Sequence, residues 1–289
     1  MEKIIIPEEI EKDFIKARYE VGVKEYEERL DMVFGKPVLN YARTMVINLP
    51  GSCHANCSYC IDSCLRKNVI KPNDFLGVCE KAFREFPDIK ELSITGGSLE
   101  AEDFNRLIGV IGKYYPEIVI TWNTNGILIN ENYDVSKIKY INLHRNSIND
   151  DKNRNVFQSN KPIISISEAK MLFGDKLCLR ITVDDDFNLD EYSSLGIPLY
   201  INKMLPGTAS SDLRFENTLK KLNVSEKVDI RRRNRYLNCD YSGVSVRVCL
   251  GDALAERVSG RYPVFLNVVI IHRSGRICGS WYEDDKVIL

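Results

Sequence analysis

From Tyr41 to about residue 205 the chain alternates short apolar runs with stretches of helical periodicity, and this narrows the fold more than any other feature. Strand-like runs lie at 43–49, Glu91–Thr95, Ile118–Trp122, Ile138–Leu143, Lys176–Val183 and Pro198–Asn202, six in all. Asn73 stands where it can cap a helix whose one face carries Phe75, Cys79, Ala82, Phe83 and Phe86. Phe104, Leu107, Ile108, Ile111 and Tyr115 mark a second helix. Strands alternating with helices imply βαβ units and a parallel sheet. Six strands are too few for a complete barrel of eight. The expected fold is α/β: a partial (β/α)6 TIM-like parallel barrel over residues 41–205.

Two flanking regions read differently. Residues 8–34 have helical spacing at Ile10, Phe14, Ala17 and Val21, and Gly35-Lys36-Pro37 ends the pattern. Residues 1–40 are therefore expected to form a helical segment packed on the barrel. After Leu205-Pro206-Gly207 a polar, basic stretch leads to hairpins, one of them turning at Ser274-Gly275 between Val268–Ile271 and Arg276–Cys278. Residues 206–289 are expected to be a small C-terminal extension containing β-hairpins.

Composition excludes some classes of function. The 289 residues are 44% hydrophobic, enough for a large core. Forty basic and 41 acidic residues nearly cancel, so the overall charge demands neither nucleic acid nor a membrane surface. No apolar run approaches the ~18 residues of a membrane span. The first residues, Met1-Glu2-Lys3-Ile4-Ile5-Ile6-Pro7-Glu8-Glu9, are too short and too acidic for a signal peptide, so a cytoplasmic location is expected. Nine cysteines is a high and odd number, which in a reducing compartment points to metal or catalysis before disulfides.

Three of those cysteines form a C-x3-C-x2-C run, Cys53, Cys57 and Cys60, directly after the first strand. Three thiolates on one short loop can hold three corners of a four-iron cluster and leave one iron open. A zinc knuckle completed by Cys64 or His54 is the alternative, although zinc sites usually draw on two well-separated cysteine pairs. Further polar motifs follow later strands: Gly96-Gly97-Ser98, Asn123-Thr124-Asn125-Gly126, and His144-Arg145. In a barrel of this kind the active site is built from loops at the carboxyl ends of the strands. Each motif also has a plainer reading, as a turn or a rim residue. Arg180 lies inside the fifth strand between Leu179 and Ile181, where a charge needs a partner, either a ligand carboxylate or a structural ion pair.

The cysteine run in this context resembles the radical S-adenosylmethionine (radical SAM) superfamily, broadly the branch of the molybdenum-cofactor cyclase and its relatives with auxiliary clusters. The resemblance covers roughly residues 43–205. It implies a [4Fe-4S] cluster on Cys53, Cys57 and Cys60. S-adenosylmethionine would chelate the open iron and be cleaved reductively to a 5′-deoxyadenosyl radical, which takes hydrogen from a substrate. By the same resemblance Tyr59 packs near the adenine, and Gly96, Gly97 and Ser98 stand for the family's Gly-Gly-Glu-Pro motif, with serine in place of the glutamate. Asn123 and Asn125 match a Thr-Asn-Gly motif, Arg180 is a candidate for the SAM carboxylate, and His144 and Arg145 are weak catalytic candidates. The substrate would be a small molecule, nucleotide or peptide, and the electron donor a flavodoxin or ferredoxin. Oxygen sensitivity follows from the cluster.

Cys239, Cys249 and Cys278 lie beyond the barrel, and the resemblance allows them a second, auxiliary cluster. Neither the C-x2-C pair nor the terminal paired glycines of the cyclase are present. Cys79 and Cys178 read as core. Arg231-Arg232-Arg233-Asn234-Arg235 is the one dense basic run, read as a solvated face before a phosphate contact. A non-enzymatic zinc module that grips nucleic acid through that run is the competing function.

Overall fold

The computed structural model describes residues 44–51, 53–57, 69–203, 208–223, 236–249 and 268–278. The expected helix over 8–34, Tyr59, Cys60, Cys64 and the run Arg231–Arg235 lie outside the described residues.

The six expected strands form, with a helix in every connection but that between the third and fourth. They are β1 (Thr44–Leu49), β2 (Glu91–Gly96), β3 (Val119–Thr124), β4 (Ile138–His144), β5 (Leu177–Val183) and β6 (Leu199–Lys203). The helices are α1 (Pro72–Glu85), α2 (Ala101–Tyr114), α3 (Asp150–Phe157), α4 (Ile166–Phe173), α5 (Leu189–Ser193) and α6 (Ala209–Lys221). Both expected hairpins form: β7 (Tyr236–Tyr241) with β8 (Val244–Cys249), and β9 (Val268–Ile271) with β10 (Ile277–Cys278).

All the strands join one ten-stranded sheet in the order β10-β9-β1-β2-β3-β4-β5-β6-β8-β7. β8 pairs parallel with β6, and β9 pairs parallel with β1. The parallel array therefore continues past the six-strand unit on both sides. Among the described residues antiparallel β10 and β7 end it, and the sheet does not close. These long-range pairings have no local signal in sequence.

Strand alternation divides the sheet into two faces. On β5, Leu177, Leu179, Ile181 and Val183 are buried, whereas Cys178, Arg180 and Thr182 are only partly so. The same parity buries Leu92 and Ile94 on β2, Ile120 and Trp122 on β3, and Ile141 and Leu143 on β4. These residues share one core with Phe75, Phe83, Phe104 and Leu107 of the helices. Each such side chain contributes roughly 1.5–3 kcal/mol on burial. Trp122 meets Phe104 at a tilt and stacks on Tyr133, with ring centroids at 4.5 and 5.7 Å, which ties α2 and the loop after β3 to the sheet. The opposite, inner face is polar.

Helix starts follow local chemistry, with one departure. Ser165 and Glu168 form a reciprocal capping box on α4, and Asn149 accepts backbone N–H bonds at the start of α3. Asn73 does not cap α1. Pro72 takes the first helical position, where its missing N–H has no intrahelical role, and Asn73 Oδ1 instead accepts from Arg106 Nη1 at 2.8 Å. Among the described residues no helix is long and apolar enough to cross a membrane.

Candidate active site at the strand tops

The cysteine loop leaves β1 at Pro50 and is seated by close backbone approach. A Cβ on Gly51 would overlap the Ser98 carbonyl oxygen, and a Cβ on Gly97 would overlap the carbonyl oxygens of Gly51 and Leu49. Gly97 N donates to Leu49 O at 3.3 Å. Gly96 has φ +91°, a value that favours glycine, and its missing Cβ leaves room for the buried Asn48 amide. The space opened by these glycines is filled by the chain itself.

Farther along, Asn56 N donates to Phe157 O at 2.7 Å, and Asn56 Nδ2 donates to Gln158 Oε1 at 3.0 Å. Ala55 is buried in a small core with Ile127, Phe157 and Ile163, against which Cys53 and Cys57 pack. Asn125 Nδ2 reaches Cys53 Sγ at 3.7 Å. The loop after β2, the loop after β3 and the end of α3 thus grip the loop that carries Cys53 and Cys57. Ala55 and Asn56 had no signal in sequence beyond lying between the two cysteines.

Below the loop, the inner face carries a ladder of polar side chains. Asn123 Nδ2 donates to Ser93 Oγ at 2.8 Å, and its Oδ1 accepts from Asn142 Nδ2 and from Arg180 Nη1, both at 2.9 Å. Asn123 is thereby engaged on both ends and orders its neighbours. The Arg180 guanidinium lies 5.1 Å from the centre of the Tyr200 ring, and the Arg247 guanidinium lies 5.7 Å from it. Arg180, Tyr200 and Arg247 are register partners on β5, β6 and β8. Among the described residues no carboxylate stands within ion-pair distance of Arg180. Ser93, Asn142, Tyr200 and Arg247 escaped the sequence reading, because single polar residues in apolar runs carry no motif.

His144 and Arg145 are adjacent but do different things. His144 ends β4 on the inner face and is the register partner of Arg180. Its Nε2 lies 2.7 Å from Asn146 Oδ1, and Asn146 Nδ2 donates to Asp184 Oδ2 at 3.5 Å. The Asn146 oxygen accepts, so His144 carries its proton on Nε2. Burial, followed by the Arg180 charge, pushes the imidazole down to about 4, so the ring is neutral at physiological pH. Burial also raises the Asp184 carboxyl from its ordinary value.

Arg145 is fully buried and faces backbone. Its Nη1 donates to the carbonyl oxygens of Asn125 and His144, each at 2.7 Å, and its Nη2 donates to Ile164 O. Asp150 Oδ1 faces its Nε at 4.0 Å. The guanidinium links three chain segments and presents nothing to the inner face, which fits a positioning residue.

No protein-family model matches this sequence, and no curated protein is similar to it in sequence. Solved structures are similar in fold. SuiB from Streptococcus suis superposes with a TM-score of 0.57 at 15% identity, over 90% of this chain and 65% of SuiB. SuiB bound to S-adenosylmethionine gives 0.55 at 16% identity, over 90% and 65% of the two chains. SuiB bound to its precursor peptide SuiA gives 0.55 at 16% identity, over 89% and 62%. This chain therefore spans slightly less than two thirds of SuiB. At this identity the likeness is one of fold.

The donor set at the strand tops suits an iron–sulfur group. Cys53 and Cys57 form no disulfide among the described residues and are partly exposed, on a loop held at the strand tops. Soft sulfur donors suit iron–sulfur clusters. Beneath them Arg180 keeps donors beyond the one bonded to Asn123, as a carboxylate ligand would require.

The structure does not bring Cys239, Cys249 and Cys278 together. Cys239 and Cys249 belong to the β7–β8 hairpin at one edge of the sheet, and Cys278 belongs to β10 at the other. Cys239 packs toward the helix-side core, its Sγ 3.6 Å from Val246 O, and Cys249 sits three residues beyond Val246, on the opposite face. Among the described residues no group of three His, Cys, Asp or Glu side chains is arranged to hold a metal ion. Cys79 is core, as its periodicity predicts. Cys178 is not: it shares the inner face with Arg180, and burial pushes its thiol up to about 12, so it stays protonated.

Proposed function

We propose that this chain is a radical SAM enzyme acting on a peptide. The seating of Cys53 and Cys57 over a polar, arginine-bearing inner face supports this reading best. Cys53, Cys57 and Cys60 would hold a [4Fe-4S] cluster. Bound there, the cluster would supply one-electron reducing chemistry toward S-adenosylmethionine, and with it the means to take hydrogen from substrate.

The chain's own residues bind, orient and exclude water. Arg180 would hold the SAM carboxylate as a guanidinium fork, and Asn123 keeps that fork in place through its Oδ1. Gly96, Gly97 and Ser98 would offer backbone groups beside the cysteine loop, and Asn125 would hold Cys53 there through its amide. Tyr59 would pack near the adenine. His144, neutral and held by Asn146, would orient a ligand hydroxyl or amide and would not supply a proton. SuiB, bound to the peptide SuiA, supports a peptide as the substrate class. A small flavodoxin or ferredoxin would deliver the electron.

Anaerobic reconstitution tests this reading. The wild type should bind about four irons and four sulfides per chain and turn brown. Cys53→Ala, Cys57→Ala and Cys60→Ala should each abolish that binding, whereas a triple Cys239→Ala/Cys249→Ala/Cys278→Ala variant should keep it. Colourless protein carrying zinc would refute the proposal and favour the zinc module.

A further inference from the structure

We propose that Asn125 sets the reduction potential of the cluster through an N–H···S hydrogen bond to Cys53. This rests on the proposed cluster and adds a role for a residue matched in sequence to a SAM-binding motif. The bond is the 3.7 Å contact from Nδ2 to Sγ. Three observations make it a built contact.

The other end of the same amide is occupied. Asn125 Oδ1 accepts from Ile127 N at 3.0 Å, an acceptor role that only the amide oxygen can fill. That bond fixes which way the amide points, so the NH2 end must face the sulfur. The Asn125 backbone is also held, because its carbonyl oxygen accepts from buried Arg145 Nη1 at 2.7 Å. Finally, Cys53, partly buried, packs against the small core of Ala55, Ile127, Phe157 and Ile163, which holds the thiol in place. A hydrogen bond in such a site acts more strongly than one in bulk solvent.

The chemistry follows directly. A donor on a ligating thiolate withdraws electron density from the sulfur and stabilises the reduced, more negative cluster. Hydrogen bonds to cluster sulfurs are among the factors that set iron–sulfur potentials. Removing this donor should lower the midpoint potential.

Two neutral variants test it. Asn125→Ser keeps an oxygen able to accept from Ile127 N but is too short to reach the sulfur. Asn125→Leu removes donor and acceptor at similar volume. The holoprotein is reconstituted anaerobically, iron and sulfide are counted, and the cluster is titrated with EPR detection. The expected result is full iron content with a midpoint shifted downward in both variants. If either variant carries wild-type iron and titrates at the wild-type midpoint, the inference is overturned and the proposed function stands. If the wild type itself binds no iron and sulfide, both fall. If Asn125→Leu fails to load, Asn125→Ser alone decides.

Discussion

Arg145→Met should unfold the strand tops more than any other single change on the inner framework. The arginine is fully buried, and its guanidinium donates to the carbonyl oxygens of Asn125, His144 and Ile164. Methionine matches much of the stem but donates nothing. Each buried carbonyl left without its donor costs roughly 1–3 kcal/mol, or about 6 kcal/mol for three at mid-range. The variant also removes a buried charge. Burial pushes the Arg145 guanidinium down to about 10, from 12.5. A difference of that size corresponds to roughly 3 kcal/mol returned when the charge is gone.

The expected net loss is therefore about 3 kcal/mol, which lowers the melting midpoint by roughly 6–12 °C for a chain of this size. Urea unfolding followed by circular dichroism measures it. Arg145→Lys should fall between the two, since one ammonium cannot reach three separated carbonyls in the planar spread a guanidinium covers. An Arg145→Met protein within about 1 kcal/mol of wild type would mean that the carbonyls are satisfied otherwise and that the bolt is not a bolt.

Two more perturbations follow from the same framework. Gly97→Ala should displace the cysteine loop while leaving the sheet intact, because the added Cβ meets the backbone oxygens of Gly51 and Leu49. Iron binding should drop with far-UV circular dichroism unchanged. Gly77→Ala, on α1 with nothing near its Cβ, should instead stabilise by about 0.5–1 kcal/mol. His144 supplies a pH dependence. Folded, it titrates near 4 against 6.5 for the free group, so between those values the unfolded chain binds more protons. Stability should then fall as pH drops from about 6.5 towards 4, by about 1–2 kcal/mol between pH 7 and 5 after allowance for partial exposure. His144→Gln should remove that share; an identical pH slope in the variant would refute it. Asp184, with its carboxyl raised, titrates in the opposite direction and stays in both proteins.

Periodicity made the six-strand core legible because each strand's outer face must bury apolar side chains. It carried more than was read from it. On β5 the spacing of Leu177, Leu179 and Ile181 already turns Cys178 and Arg180 to one face, so the thiol's place beside the guanidinium was available in the pattern. Ile141 and Leu143 likewise turn Asn142 and His144 inward. The placement of β8 and β9 was not available. Their parallel partners, β6 and β1, are set by tertiary packing between segments far apart in sequence. The positions of Cys239 and Cys249 on one edge hairpin and of Cys278 on the other follow from that placement.

The anchors of the cysteine loop explain why its two described thiols keep their position without a helix or strand of their own. Gly97 and Ser98 follow β2, Asn125 and Ile127 follow β3, and Phe157 and Gln158 close α3 after β4. Arg145 ties the second of these anchors to β4 and to Ile164. Phe157, wholly buried, touches both sides: it packs with Ala55 in the loop, and its ring lies 5.9 Å from that of His144. A parallel sheet fixes the heights of adjacent strand tops relative to one another, so three anchors on successive crossovers define a position that none could define alone. Slipping one strand by a residue would turn its anchor to the other face and release the loop. Thiol spacing at this site is thus a property of sheet register, and a core substitution that loosens β3 or β4 should weaken iron binding without touching a cysteine.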